Sequence, residues 1–202
     1  MKLNLPNKLT ILRALLVPVF VACLIYIKNP IVCGLVTAAV FIVTSLTDML
    51  DGKIARKYNL VTNFGKFMDP LADKFMVFAA LITLTVKLFV SACGINERIL
   101  SHVMLWATLV VVLRELGVTS IRMVCSGTEA GVIAANMFGK LKTVTQIFAI
   151  VVILVEYAIN KGTDLNTLWI ASYVLIAAMT FMTVASGINY LKIYWKYINP
   201  NN

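Results

Sequence analysis

Charged residues are scarce in this chain of 202 residues, because aspartate, glutamate, lysine and arginine together make up only 13% of it. Soluble domains of this length carry about a quarter. Apolar residues make up 60% of the sequence, and its mean hydropathy is +0.90. This composition excludes a water-soluble domain and predicts an integral membrane protein, with residues 1–202 forming a single domain and with no nucleic acid as a partner.

Histidine and cysteine are also sparse. The single histidine, His102, is far in sequence from Cys23, Cys33 and Cys125, and no two cysteines have the spacing of a metal site. All four cysteines, Cys93 included, lie in apolar runs, so we expect buried thiols rather than disulfides or metal ligands. We expect a structural role for His102.

Apolar stretches dominate what is present, and a membrane-spanning helix needs about 20 such residues. The first stretch follows Lys2, Lys8 and Arg13, as in a signal peptide, but it continues unbroken to Ile27, so we expect a membrane helix. The pattern predicts an all-α protein with six transmembrane helices, at about 9–28, 30–57, 66–92, 98–124, 138–159 and 165–196. Turns are predicted at Pro30, Gly94, Lys161–Gly162 and within 59–65.

The distribution of positive charge predicts the orientation of these helices. Six spans place both termini on one side of the membrane. Of the 18 lysines and arginines, only four fall on the opposite side, namely Lys28, Lys87, Arg98 and Lys161. Because positive residues concentrate on the cytoplasmic side, both termini are predicted to be cytoplasmic.

Four aspartates are unusual in this apolar background. Asp48 and Asp51 are three residues apart near the end of the second predicted helix, and Asp69 and Asp73 are four apart near the start of the third. Each spacing places both carboxylates on one helical face, and a short turn can bring the two faces together. Because acidic groups are costly in the membrane, we expect a cation to offset their charge.

The chemistry of four carboxylates favours a hard divalent cation. All-oxygen sites suit Mg²⁺ or Mn²⁺, and no histidine or cysteine is near enough to favour zinc. We therefore expect one or two such ions. The alternative is a solvated helix end, in which the aspartates pair with the basic residues beside them, Lys53, Arg56, Lys66 and Lys74.

The residues around the aspartates follow a fixed order. From Asp48 to Asp73 the order is Asp-x2-Asp-Gly-x2-Ala-Arg-x8-Gly-x3-Asp-x3-Asp. This order resembles the full signature of the CDP-alcohol phosphatidyltransferase family, and every specified position of the signature is filled. Gly52 and Ala55 leave room for a ligand near the helix backbone, and the guanidinium of Arg56 suits a phosphate. Six spans with cytoplasmic termini are also similar to this family.

The resemblance implies a role for each residue of the motif. Asp48, Asp51 and Asp69 would hold the divalent metal, and Asp73 would complete the cluster and act as general base. The CDP-binding site would be lined by five residues, Asn7, Thr10, Gly52, Ala55 and Arg56. The resemblance also places Arg13, with Asn7 and Thr10, near the nucleotide or the mouth of the active site. The simpler interpretation of this segment is a helix start, with Asn7 as the cap and Arg13 reaching to the membrane surface.

Three looser matches bear on the acceptor alcohol. Three segments resemble those of the phosphatidylglycerophosphate synthases of this family: Asn4–Arg13, Arg114-Glu115-Leu116 with Arg122, and Gly139–Thr143 with Gln146. Because Arg114 and Glu115 interrupt an apolar run, we expect them to face the protein interior. The resemblance implies that four cations bind the phosphate of the acceptor, namely Arg114, Arg122, Lys140 and Lys142. Basic residues that reach to the membrane surface or set the topology are the alternative.

The activity that the resemblance implies is transfer of phosphatidyl from CDP-diacylglycerol to the 1-hydroxyl of sn-glycerol 3-phosphate, with release of CMP. It also implies a homodimer in a bacterial inner membrane, with the active site facing the cytoplasm. Inositol phosphate, serine or phosphatidylglycerol are alternative acceptors, and a divalent-cation transporter is the alternative of another class. We expect the aromatic residues near the C-terminus to form an interfacial belt: Tyr190, Tyr194, Trp195 and Tyr197.

Overall fold

The structure is a computed structural model that describes residues 5–57, 63–125, 137–163 and 167–198, with side chains described except at 5–7, 49–57, 63–73, 124 and 196–198. Within these ranges the chain forms α-helices and no strands. The helices are α1 (Leu5–Tyr26), α2 (Pro30–Lys57), α3 (Asn63–Ser91), α4 (Ile95–Cys125), α5 (Met137–Gly162) and α6 (Ile170–Ile198). All six are long and apolar enough to cross a membrane, which confirms the predicted fold class. The orientation of the termini stays a prediction.

Several predicted boundaries were wrong by a few residues. The difference that matters most for the site is at α3. This helix begins at Asn63, so residues 63–65 belong to it and not to the predicted turn. Pro70 consequently lies two turns inside α3. Helix α1 begins at Leu5, so Asn7 is inside it and does not occupy a cap position. Helix α5 continues through Lys161 to Gly162, where a turn was predicted.

The two short connections at one end of the bundle are held by side chains that bind free backbone N–H groups. The amide oxygen of Asn29 accepts hydrogen bonds from the N–H of Ile31 at 3.0 Å and of Val32 at 3.2 Å, which caps α2. The carboxylate of Glu97 accepts a hydrogen bond from the N–H of Cys93 at 2.7 Å, before α4. Cys93 is exposed in this turn, so the prediction that all four cysteines are buried was wrong for it.

Helix packing brings the two halves of the chain together. Helix α2 packs against α1 and α5, α6 packs against α4 and α5, and α3 packs against α1 and α4. Gly34 allows the close approach of α2 to α5, because a Cβ atom there would overlap the backbone oxygen of Leu154 and the side chain of Ala158. The interior is filled by apolar side chains such as Phe20 and Phe41, whose ring centroids are 5.9 Å apart.

Because successive helices run in opposite directions, the termini of the helices gather at two ends. One end contains the start of α1, α3 and α5 and the end of α2, α4 and α6, and we call it the aspartate end because Asp48 lies there. The other end contains the ion pair of Glu97 with Lys161, at 2.7 Å. The end of α2 and the start of α3, which contain the aspartate motif, therefore lie on the same side of the bundle.

Candidate active site

Asp48, the first residue of the aspartate motif, lies near the last turns of α2 and forms an ion pair with Arg13 of α1. Nη1 of Arg13 is 2.5 Å from Oδ1 of Asp48, and the side chains are 1% and 42% exposed, respectively. A buried guanidinium that reaches a half-exposed carboxylate does not match the interpretation of Arg13 as a residue at the membrane surface. The arrangement holds one aspartate oxygen in place at the aspartate end.

An opening beside this ion pair is lined by residues of four helices. Its polar surface comes from the ion pair itself and from the hydroxyl residues Thr44, Ser45 and Thr143. The remaining lining is apolar, and it comprises Phe41, Met76, Val77 and Ile147. The opening therefore places the carboxylate of Asp48 and three hydroxyl groups beside apolar side chains.

The other three aspartates are described only by their place in the helices. Asp51 is in the last two turns of α2, and Asp69 and Asp73 are in the first three turns of α3, while their side chains lie outside the described residues. Among the side chains that the structure describes, no three His, Cys, Asp or Glu residues come together. The donor chemistry of Asp48, a half-exposed carboxylate, fits a hard divalent cation.

The predicted CDP-binding residues are distributed over helices α1 and α2. Gly52, Ala55 and Arg56 are in the last two turns of α2, with their side chains outside the described residues, as is that of Asn7 in α1. Thr10 is buried, one turn before Arg13. The described part of this set therefore lies on α1, on the same side of the helix as the arginine that holds Asp48.

A second group of polar side chains joins α4 to α5. Arg114 donates a hydrogen bond from Nη1 to Oε1 of Glu115, at 2.6 Å, and Nζ of Lys142 contacts the same oxygen. All three side chains are largely buried, as we expected for Arg114 and Glu115. Lys142 therefore belongs to a buried ion-pair network and does not extend to the membrane surface. Lys140 is exposed, and the described contacts of this network do not include it.

Helix α6 completes this group, which we call the arginine cluster: Arg114, Glu115, Arg122, Lys142, Ser186 and Tyr190. Nη2 of Arg114 donates to Oγ of Ser186 at 2.6 Å, and Nη2 of Arg122 donates to the hydroxyl of Tyr190 at 2.8 Å. The guanidinium carbons of Arg114 and Arg122 lie 5.5 Å and 5.0 Å from the centroid of the Tyr190 ring, which is within the range of cation–π attraction. One aromatic ring thus contacts both predicted phosphate-binding arginines.

Each of the two arginines has one hydrogen-bond donor that no described residue accepts. Nε of Arg114 and Nε of Arg122 are buried and have no hydrogen-bond partner among the residues that the structure describes. Buried donors are nearly always paired, so an unpaired one calls for an explanation such as a missing ligand. Arg122 also forms no ion pair with a carboxylate among the described side chains, since its hydrogen bond goes to the hydroxyl of Tyr190. Both features favour an anion as the ligand of this cluster.

The aspartate and arginine groups are adjacent, and two pairs of neighbouring residues connect them. On α5, Thr143 lines the opening beside Asp48 while Lys142 contacts Glu115. On α3, Lys74, which follows Asp73, contacts the hydroxyl of Thr119, a residue between Glu115 and Arg122 on α4. The structure therefore brings Arg114, Arg122 and Lys142 close to the end of the bundle that contains the aspartates.

Tyr190, Tyr194 and Ser186 were not identified from the sequence as part of the site. The predicted interfacial belt was wrong for the two tyrosines, because Tyr190 is 4% and Tyr194 1% exposed, whereas Trp195 is exposed as a belt residue should be. Tyr197 lies outside the described side chains. The spacing of four between Ser186, Tyr190 and Tyr194 places them on one helical face, and this was the signal available. His102 packs edge-on against Phe89, in keeping with a structural role.

Comparisons with known proteins agree with the motif. Residues 3–187 match the family model described as CDP-alcohol phosphatidyltransferase. A CDP-diacylglycerol–glycerol-3-phosphate 3-phosphatidyltransferase of Bacillus subtilis is 39% identical, and the alignment covers 98% of this chain and 99% of that protein. A protein of the same name from Rickettsia bellii is 34% identical over 96% of this chain and 97% of its own length. A probable phosphatidylglycerophosphate synthase of Mycobacterium tuberculosis is 36% identical over 93% of this chain and 80% of its own length.

Proposed function

Since the chain belongs to the CDP-alcohol phosphatidyltransferase family, we propose that it transfers the phosphatidyl group of CDP-diacylglycerol to the 1-hydroxyl of sn-glycerol 3-phosphate. The products are phosphatidylglycerophosphate and CMP. Relatives that carry the name of this activity align over nearly the whole chain. The observation within the molecule that carries the proposal is the arginine cluster, in which each of two guanidiniums has a buried Nε–H group that is not paired with any described residue.

The aspartates would hold the divalent cation that the reaction requires. Asp48 has the right donor chemistry and lines the opening, and Asp51, Asp69 and Asp73 would supply the remaining carboxylates from their turns of α2 and α3. A bound Mg²⁺ or Mn²⁺ would neutralise the charge of the diphosphate and make its phosphorus open to attack. Arg13 would keep the carboxylate of Asp48 oriented toward the opening.

The donor lipid has two parts that the site can distinguish. Its cytidine diphosphate would lie against the last turns of α2, which contain Gly52, Ala55 and Arg56, and would be bound also by Asn7 and Thr10 of α1. Its acyl chains would lie against apolar side chains such as Met76 and Val77 beside the opening. Entry of the lipid from the membrane between helices follows from this division.

The acceptor phosphate would be bound by the arginine cluster, with the exposed Lys140 attracting the anion from solution. Arg114 and Arg122 can each direct an Nε–H group to a phosphate oxygen. The 1-hydroxyl of the bound glycerol 3-phosphate then lies toward the aspartates, where Asp73 accepts its proton. Its oxygen forms a bond to the phosphorus of the phosphatidyl group, and the bond from that phosphorus to the bridging oxygen of CMP breaks.

The bacterial relatives and the six apolar helices support a bacterial membrane location. We further propose the inner membrane, a site that faces the cytoplasm and a homodimer. The positive charges on the side of the termini support this orientation. A single disulfide cross-link or a fluorescence-detected sedimentation measurement in detergent would report the oligomeric state.

The test that separates an enzyme from a transporter uses purified protein reconstituted in liposomes with CDP-diacylglycerol. We expect release of CMP that needs both glycerol 3-phosphate and Mg²⁺ or Mn²⁺, that stops on addition of a chelator and that returns with excess metal. Uptake of Mn²⁺ into the liposomes without any CMP release would contradict the proposal and favour the transporter.

A further inference from the structure

We propose that Tyr190 is a positioning residue, whose ring and hydroxyl hold Arg114 and Arg122 together as one binding site for the phosphate of the acceptor. The inference rests on the proposed function, because it assigns a role within the acceptor site. It concerns a residue that the aspartate motif does not include.

Two guanidinium groups repel each other, so a site that uses both needs something to hold them near one another. The ring of Tyr190 lies 5.5 Å from Cζ of Arg114 and 5.0 Å from Cζ of Arg122. The negative face of an aromatic ring attracts a cation at this distance, and the attraction increases when water is excluded. Tyr190 is 4% exposed, so both contacts are sheltered from water.

The hydroxyl of Tyr190 fixes one arginine more tightly than the ring alone could. It accepts a hydrogen bond from Nη2 of Arg122, at 2.8 Å. The other arginine is fixed by different groups, since Arg114 donates to Glu115 and to Ser186. Loss of the hydroxyl should therefore affect Arg122 directly, whereas loss of the whole ring should affect both arginines.

The packing beneath Tyr190 keeps the ring in place. Tyr194 stacks on it with the two planes inclined by 9° and the centroids 6.4 Å apart. Both rings belong to a small apolar cluster with Val118 and Cys125, separate from the main core. On the side of Arg114, Gly187 leaves space for the side chain, because a Cβ atom there would be 3.1 Å from Cγ of Arg114.

Tyr194 provides a matched control for Tyr190. It is equally buried and lies one turn further along α6, but its hydroxyl has no hydrogen-bond partner among the described residues. Tyr194→Phe therefore removes a hydroxyl from the same cluster without removing a contact to an arginine. A general effect of removing a buried hydroxyl would appear in both variants.

The experiment measures KM for glycerol 3-phosphate, KM for CDP-diacylglycerol and kcat for the wild type, Tyr190→Phe, Tyr190→Leu and Tyr194→Phe. We expect Tyr190→Phe to raise KM for glycerol 3-phosphate about five-fold to ten-fold, and Tyr190→Leu to raise it further, because a hydrogen bond to a charged group is lost in the first and both ring contacts in the second. KM for CDP-diacylglycerol and kcat at saturating acceptor should stay within about two-fold. Tyr194→Phe should match the wild type.

An unchanged KM for glycerol 3-phosphate in Tyr190→Phe, or an equal fall of kcat in Tyr190→Phe and Tyr194→Phe, would overturn the role of Tyr190. Failure of the proposed function looks different, because the wild type would then release no CMP with glycerol 3-phosphate. If the wild type accepts inositol phosphate instead, the same four proteins are compared with that acceptor. If it accepts only an alcohol without phosphate, the inference is wrong as well.

Discussion

The guanidinium of Arg13 lies 2.5 Å from the carboxylate of Asp48, and this ion pair joins the first helix to the second at the end of the bundle where the aspartate motif begins. Arg13 is almost completely buried, whereas Asp48 keeps part of its surface open to the adjoining space. Arg13, which is outside the motif, thus orients the carboxylate of Asp48, the first residue of the motif.

The first prediction concerns this ion pair. Arg13→Gln should lower kcat about ten-fold or more, because groups that orient a metal-binding carboxylate typically contribute this much to activity. The kcat of Arg13→Lys should lie between those of the wild type and Arg13→Gln, since lysine keeps the charge but lacks the planar guanidinium. Lys8→Gln, a change at an exposed position of the same helix, is the control. Full activity of folded Arg13→Gln would show that Asp48 needs no support from α1.

The second prediction assigns the general base. Asp73→Asn should abolish turnover, because an amide cannot accept the proton of the attacking hydroxyl. Binding of CDP-diacylglycerol should be retained, and a thermal shift on addition of the lipid measures it. Activity close to that of the wild type would remove Asp73 from the role of base and leave it as a metal ligand only.

The third prediction concerns the two arginines that share Tyr190. Arg114→Met and Arg122→Met should each raise KM for glycerol 3-phosphate about ten-fold to 100-fold, which corresponds to the loss of a charged hydrogen bond of about 1.5–3 kcal/mol. KM for CDP-diacylglycerol should change little in either variant. Lys192→Met, at an exposed position of α6, serves as the control. A rise in KM for the lipid instead would assign these arginines to the donor site.

The fourth prediction concerns stability at the opposite end of the bundle. Glu156 is buried in α5, where it accepts hydrogen bonds from the backbone N–H of Ser172 at 2.7 Å and from the hydroxyl of Thr167 at 2.6 Å. These bonds secure the start of α6, next to Leu168 and Trp169, which both have positive φ.

Replacing Glu156 by alanine leaves the backbone N–H of Ser172 without this acceptor, at a cost of about 1–3 kcal/mol, whereas the hydroxyl of Thr167 keeps a contact to Oδ1 of Asn160 at 3.1 Å. Glu156→Ala should therefore lower the melting temperature in detergent by several degrees, with both KM values unchanged. Lys28→Gln, at an exposed position of the same end, should have no effect. An altered KM in Glu156→Ala would show that this end communicates with the site.

The sequence was sufficient to predict the six helices, because long apolar runs can cross a membrane only as helices. It was also sufficient to place Asp48 at a helix end and Arg114 and Glu115 in the interior, since a charge in an apolar run is costly unless the protein surrounds it. These predictions depend on properties of single helices. The family assignment followed from the fixed spacing of the motif.

Contacts between helices were beyond reach of the sequence. In the sequence, the aromatic residues of α6 fit an interfacial belt as well as they fit a buried cluster. Only the position of α4 against α6 shows that Tyr190 is buried beside two arginines. The pairing of Arg13 with Asp48 and of Lys142 with Glu115 likewise depends on which helices are neighbours. Helix boundaries near Asn63 were missed because a polar segment can continue a helix beyond the membrane.

The most direct test of the proposed function compares acceptors. Purified protein would be given CDP-diacylglycerol and Mg²⁺ with glycerol 3-phosphate, inositol phosphate, serine or phosphatidylglycerol in separate reactions, and CMP and the lipid product would be measured. We predict equal amounts of CMP and phosphatidylglycerophosphate with glycerol 3-phosphate, and no turnover with the other three. Turnover with any of those three, and none with glycerol 3-phosphate, would contradict the proposed acceptor.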